Sequence, residues 1–291
     1  MWIVLAIEKF VILQKLSRRG LKQYTMAGKY NSDSYVIDCP ERMIGAIRHY
    51  GVIPFFKGIA PGWSIEELTA PGCWFAESEE FGSTLGPWDW KIDCVREGDI
   101  AYGKFLGGKA AFATVDYYRH LMNFRRSLPR YRMALGEAFE AVTASDKLMK
   151  ALSPIALSAI TEAGALEGHD IRIVCAAQAP HIALKKSLMD SVLQFLQMGT
   201  WSVIGDFRRL YRGPNLSYSG WQRASNTTPD ALFGGVSTRE DEMPDWARSI
   251  VQAESTLPAP DCSSEESRQF LISHIMQIAP AADIKKIEKL I

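Results

Sequence analysis

HIALKKSLMDSVLQFLQMGTWSVIGDFRRLYRGPNLSYSGWQRA, residues 181–224, carries two periodicities in succession. Over residues 181–197, Leu188, Met189, Val192, Leu193 and Leu196 recur at helical spacing while Lys186, Asp190 and Gln194 share the other face, which predicts an amphipathic helix. From Trp201 the alternation shortens to two, placing Trp201, Val203, Phe207 and Tyr211 on one side of a strand, a stripe that Arg209 interrupts. Gly213, Pro214 and Asn215 turn the chain, and residues 218–224 return as a second strand. Upstream, residues 132–141, 145–152 and 154–163 read as helices, the last closed by Gly164. Helices followed by a long basic hairpin are the order of a winged helix, with residues 181–197 as recognition helix and 200–224 as wing.

Toward the N-terminus, residues 100–113 form a hairpin signal around Gly107 and Gly108, and Thr114 stands where it can cap a helix containing Tyr117, Tyr118, Leu121 and Phe124. Five arginines between 119 and 132 face a single acid, Asp116, an excess over what helix-end charge requires. Asp38 before Cys39 and Pro40 predicts a helix start, and that helix ends at Gly51. Residues 52–56 are too short and too proline-broken for helix and read as a buried extended stretch. Ser64 and Glu67 have the spacing of a capping box. Residues 70–90, rich in turn formers but holding Trp74, Phe75, Trp88 and Trp90, read as an irregular packed loop. Beyond the wing, helices are expected over residues 229–233, 244–254, 264–278 and 283–291, in a comparatively acidic region placed away from any phosphate backbone.

Of 291 residues, 47% are hydrophobic and 23% charged, which excludes disorder as the main state; Lys+Arg and Asp+Glu balance at 33 each, so affinity for a polyanion must come from charge distribution. Cys39, Cys73, Cys94, Cys175 and Cys262 are odd in number and form no C-x-x-C pair, a pattern suited to a reducing, cytoplasmic compartment. Glu8 and Lys9 interrupt the apolar start well before the roughly 18 to 20 residues a membrane span needs, and no cleavage site follows it. Residues 1–34 therefore read as a dispensable extension, with Met26 an alternative start. The five histidines show no ligand spacing, and the H-E-x-x-H, phosphate-loop and G-x-S-x-G motifs are absent, so no metal and no cofactor are expected.

What remains is a basic and aromatic distribution. Lys185, Lys186, Arg208, Arg209 and Arg212 fall on the helix and hairpin that a winged helix offers to a duplex, joined by Arg125 and Arg126 on the earlier helix. Asp89, set among aromatics, is the candidate general base, in a candidate pocket of Trp88, Trp90, Lys91, Tyr102, Lys104 and Asn123. A salt-bridged core is the competing reading of those residues.

Residues 51–56 (GVIPFF), 86–91 (GPWDWK), 101–105 (AYGKF) with Lys109, 123–126 (NFRR), and 196–198 (LQM) through 203–207 (VIGDF) together resemble the AlkZ-related family, over roughly residues 38–234. The resemblance implies an α+β, predominantly helical fold of tandem winged-helix units with small β-hairpins. It also implies double-stranded DNA as partner and metal-free hydrolysis of an alkylated base's glycosidic bond. The expected organisation is the extension 1–34, a family-like region with a hairpin at 35–130, a winged helix at 131–234 and a helical region at 235–291. In the wider AlkZ family a Gln-x-Gln or Gln-x-Asp motif follows the first helix. Here Pro54 and Phe56 stand in its place, and neither can orient or activate water. The resemblance thus points to a DNA-binding, repair-related protein. An active monofunctional glycosylase with a relocated acid or base, and a noncatalytic protein-interaction module, stay open as alternatives.

Overall fold

Pro40 opens the first helix of the computed structural model, which describes residues 35–74, 76–78, 83–234, 257 and 259–291. Helix α1 (Pro40–Tyr50) buries Met43, Ala46, Ile47 and Tyr50 as one stripe and runs into the buried strand β1 (Val52–Pro54). Helix α2 (Ile65–Leu68) keeps half of the capping box: the Glu67 amide donates to Ser64 Oγ, while the Glu67 carboxylate takes the amide of Gly62 instead of that of Ser64. A small pair, β2 (Ala76–Ser78) and β3 (Ser83–Leu85), precedes α3 (Pro87–Arg96). Part of the expected loop is thus helical from Pro87, because proline fits the first turn and Asp89 complements the dipole there. Strands β4 (Ile100–Leu106) and β5 (Lys109–Thr114) meet at Gly107 and Gly108, whose φ of 54° and 78° suit the tight hairpin turn. Helix α4 (Val115–Arg125) follows at once.

In the second half, the expected helix over 132–141 is cut short: α5 (Pro129–Arg132) passes into a single 3₁₀ turn that stops at Gly136, in the left-handed region at φ 76°. The two helices expected around Pro154 are one, α6 (Ala144–Ala163), since buried Met149, Leu152, Ala156 and Ile160 hold a continuous stripe through the proline. After β6 (Ala165–Glu167) comes α7 (Gly168–Gln178), a helix the periodicity does not reveal because it buries only Ile171 and Cys175. The amphipathic helix α8 starts five residues later than expected, at Lys186, and runs to Met198. The long hairpin is β7 (Val203–Arg212) and β8 (Ser217–Thr227); α9 (Pro229–Phe233), α10 (Ser264–Ile278) and α11 (Ile284–Leu290) follow. Residues 1–34 and the helix expected over 244–254 lie outside the described residues.

The hairpins do not stand apart. They join through the pair Tyr102↔Ile204 into one antiparallel sheet ordered β1-β5-β4-β7-β8-β6. Setting aside the small β2–β3 pair inserted between α2 and α3, one succession occurs on each side of that pair: helix, strand, two helices, two strands, then a helix. The first runs α1, β1, α2, α3, β4, β5, α4, and the second α6, β6, α7, α8, β7, β8, α9. In both, the isolated strand pairs with the last strand, so the sheet order is mirrored about its centre.

Two apolar cores follow. One gathers β1, β4, β5, α1 and α3 with Leu271, Ile275, Ile287 and Leu290 of the C-terminal helices. The other packs α6, α7 and α8 around Met149, Leu152, Ile160 and Leu196. Arg125, at 2% exposure, spans their border. Its guanidinium donates to the backbone oxygens of Phe105 at 3.2 Å, Met198 at 2.6 Å and Leu290 at 2.6 Å, and also to that of Ile291. Removing it strands several buried acceptors at once, so Arg125→Met is expected to lower unfolding free energy by about 3 kcal/mol or more in urea titrations. Arg125→Lys should recover under half of that, because an ammonium lacks the planar fork.

Candidate nucleic-acid interface

Gln197 is the first polar side chain buried behind α8's apolar stripe. Its Oε1 accepts the Lys104 amide at 2.8 Å and its Nε2 donates to Asn226 Oδ1 at 3.0 Å, clamping α8 to both β4 and β8. The groove bounded by these elements has a volume of about 760 Å³. Tyr102 and Phe207 give it apolar surface, and Gln194, Gln197, Gln222 and Asn226 give it carboxamides that both donate and accept. Lys104, Arg172, Lys186 and Arg223 line it together with Glu167 and Asp190, so its walls are of mixed charge.

Asp89 lies beside this groove, 3% exposed. Its Oδ1 accepts the Tyr218 hydroxyl at 2.5 Å and Gln222 Nε2 at 2.8 Å, and Arg209 Nε stands 3.8 Å away. Gln222 lines the groove as well, so one side chain of β8 separates the carboxylate from it. Burial, with the Asp89 hydrogen bond adding to it, pushes the Tyr218 hydroxyl up to about 12. Lys91, 1% exposed, donates to the Trp88 carbonyl and sits 3.3 Å above the Trp88 ring centre and 4.8 Å from that of Phe207. Burial outweighs the pull of Asp89 and holds this amine down to about 7.

The structure therefore brings together Trp88, Asp89, Lys91, Tyr102 and Arg209, with Lys104 on the groove. It places the other candidates elsewhere. Trp90 points into the first apolar core. Asn123 donates to the Cys262 carbonyl and to Ser267 Oγ, fastening α4 to α10. Arg125 is the buried carbonyl clamp, and Arg126 donates to the Thr200 carbonyl while stacking 4.5 Å from the Trp201 ring. Both arginines lie at the end of α4 because backbone oxygens converge there, a feature that arginine counting along the chain misreads as surface charge.

Lys186 and Arg223 line the groove, yet they and the neighbouring Arg208 hold internal partners. Arg208 and Arg223 share Glu167, at 2.6 and 3.3 Å, and Lys186 pairs with Asp190 at 2.7 Å. Lys185, at the start of α8, and Arg212, at the far end of β7, are exposed without an ion pair among the described residues. The sequence reading omits Gln197, Gln222, Arg223, Arg172 and Asn226. A signal existed for Gln197, a polar residue one turn past Leu193 on an apolar face; none existed for Gln222, whose partner Asp89 is remote in sequence.

The AlkZ-related family model matches residues 37–291. The chain belongs to the AlkZ-related family. The match continues beyond residue 234, where the sequence resemblance stops, through α10 and α11 to the C-terminal residues that Arg125 holds. No curated protein and no solved structure matches the chain. Among the described residues no helix is long and apolar enough to cross a membrane, and no group of three or more His, Cys, Asp and Glu is placed to hold a metal ion.

Lys91 makes stability depend on pH in a defined direction. Between about 7 and the ordinary lysine value of 10.5 the unfolded chain binds a proton that the folded chain does not. Its contribution is therefore fully present above the unfolded value and is lost as pH falls through the folded one. Lys91→Met should flatten the wild-type rise in stability between about pH 7 and pH 10 and raise stability below pH 7, measured as urea midpoints across that range. Parallel profiles for the two proteins would show that Lys91 stays charged in the fold.

Proposed function

We propose that this protein binds duplex DNA through two winged-helix units and serves in DNA repair without the family's motif-based base excision. The observation that carries this reading is the β7–β8 hairpin. Its outer part leaves Tyr211, Leu216 and Trp221 at 47, 71 and 63% exposure beside Arg212, next to the carboxamide-lined groove. Apolar wedges flanked by cations suit a groove of a duplex, where they press on base steps while the cations meet phosphates. The mirrored succession of elements supports the tandem reading: α3 and α8 hold equivalent places before their hairpins, as recognition helices do.

Catalysis by Asp89 would need a bound water, but its Oδ1 already takes two side-chain donors and the carboxylate is covered by the wing. Pro54, paired with Ala111 within the sheet, and Phe56 offer no polar group at the motif position. Excision of an N7-alkylated base in single-turnover assays should therefore stay near the spontaneous rate, since loss of a general base alone costs about 10²- to 10⁴-fold. Rapid excision abolished by Asp89→Asn would establish Asp89 as a relocated base and overturn this part of the proposal.

Binding itself should show an uneven salt dependence. Lys185 and Arg212 can meet phosphates directly, so Lys185→Gln or Arg212→Gln should each reduce the log–log salt slope by about 0.9. Arg208 must first leave Glu167, so Arg208→Gln should change the slope by less than half as much. Fluorescence anisotropy with a labelled duplex between low and physiological salt measures all three. Absence of salt-dependent duplex binding would reject the DNA reading and leave a protein-interaction module in its place.

A further inference from the structure

Away from the groove, four side chains, two from α4, one from α10 and one from the segment just before α10, converge between these helices. Cys262 Sγ lies 3.2 Å from Ser267 Oγ and 3.9 Å from His120 Nδ1, and Ser267 Oγ lies 3.0 Å from the same nitrogen. Asn123 Nδ2 donates both to Ser267 Oγ at 2.9 Å and to the Cys262 carbonyl at 3.0 Å. The hydrogen-bond inventory orders this group. Asn123 has only donors at that nitrogen, so Ser267 Oγ accepts from it and keeps one proton to give. Burial, and then Arg119, hold His120 below the usual imidazole value, and in the neutral tautomer that carries its proton on Nε2 the Nδ1 atom accepts from the serine. The Cys262 thiol then donates to Ser267 Oγ. The result is a directed chain from sulfur through hydroxyl to imidazole, with the imidazole pinned by the Phe270 ring, whose centre is 4.2 Å away.

We propose that Cys262 is a reactive thiol that captures soft carbon electrophiles, its proton passing through Ser267 to His120. With a haloacetamide the sulfur attacks the methylene carbon, the carbon–sulfur bond forms, the carbon–halogen bond breaks and halide leaves. The thiol proton moves to Ser267 Oγ as the serine's own proton moves to His120 Nδ1, from which it exchanges with water. Cys262 is half-buried and immediately precedes the N-cap Ser263, so the dipole of the long helix α10 also favours the developing thiolate. The charged neighbours are committed in ways that leave the chain intact. Arg119 donates to the Ala259 carbonyl, Glu266 caps α10 through Ser263, and Glu265 takes Gln269 and Arg268. Asp116 on α4 draws His120 slightly back up, and Asp261 is exposed beside the cysteine.

The other cysteines differ. Burial pushes the thiols of Cys94 and Cys175 up, the latter to about 11. At Cys39 the Arg42 amide pulls the thiol down, but burial, Glu41 and Asp38 together outweigh it. Among the described residues no other cysteine sulfur is hydrogen-bonded to a histidine.

Treating the full-length protein with iodoacetamide and following each cysteine by peptide mass spectrometry tests this directly. Cys262 should react about tenfold or more faster than Cys39 and Cys73 at pH 7, and His120→Gln should slow it by a similar factor. The pH profile separates a relay from a mere staple. Wild-type Cys262 should depend only weakly on pH between 6.5 and 8, while the His120→Gln rate should climb about tenfold per pH unit, as simple thiol ionisation does. Should Ser267→Ala fold, it should give the same steepening; the wild-type profile and His120→Gln decide the matter if it does not. Equal reactivity of Cys262 and the other half-buried thiols would overturn the proposal. So would a His120→Gln rate that is unchanged or faster, the result expected if the cluster only ties α10 to α4.

Discussion

A single buried guanidinium fixes how the parts of this protein meet. Arg125 ends α4, yet its donors serve β4, the last turn of α8 and the C-terminal residues, four backbone oxygens from three remote segments. Helix ends leave carbonyls unsatisfied, and where several such ends converge in an apolar interior water cannot serve them. A planar cation with five donors can. The end of α8 and the last residues of α11 are tied to β4 through this one side chain. Gln197 repeats the solution on a smaller scale with an uncharged fork, joining β4 to β8 through α8.

Local chemistry was readable from the chain. Gly107 and Gly108 mark their hairpin, the 2-residue alternation marks β7, and Ser64 marks the head of α2, where the Glu67 amide donates to it. Helix α7 leaves little trace because its apolar face is two residues wide, and Pro154 divides α6 in the sequence pattern because its cost is visible there whereas the buried stripe that offsets it emerges only on packing. The site was less legible than the fold. Asp89 could be picked out as a carboxylate among tryptophans, but its donors Tyr218 and Gln222 lie on a strand far along the chain. Arg125 and Arg126 show the opposite failure: charge is obvious in sequence, and burial is not.

The balanced composition has a structural counterpart at the groove. Arg208, Arg223 and Lys186 each carry a carboxylate partner from the protein itself, Glu167 or Asp190. Pairs this exposed contribute little to stability, so their effect is felt elsewhere, in the competition any polyanion must win before it engages those side chains. The cations at the groove are held in place and partly neutralised by the same contacts, which lowers long-range attraction while keeping the geometry ready.

The pair Tyr102↔Ile204 at the centre of the sheet also bears on how the chain reaches its final form. Each hairpin closes a short loop, whereas this central seam joins strands roughly a hundred residues apart and rests on one register pair. Contacts of such separation form after local ones, because loop entropy is lost before pairing repays it. Each half of the sheet can therefore assemble on its own schedule during synthesis, and joining them is a late docking event. Once made, the seam is buried at Tyr102 and Ile204 and bridged by Gln197, so its amides stay sheltered until the two halves part.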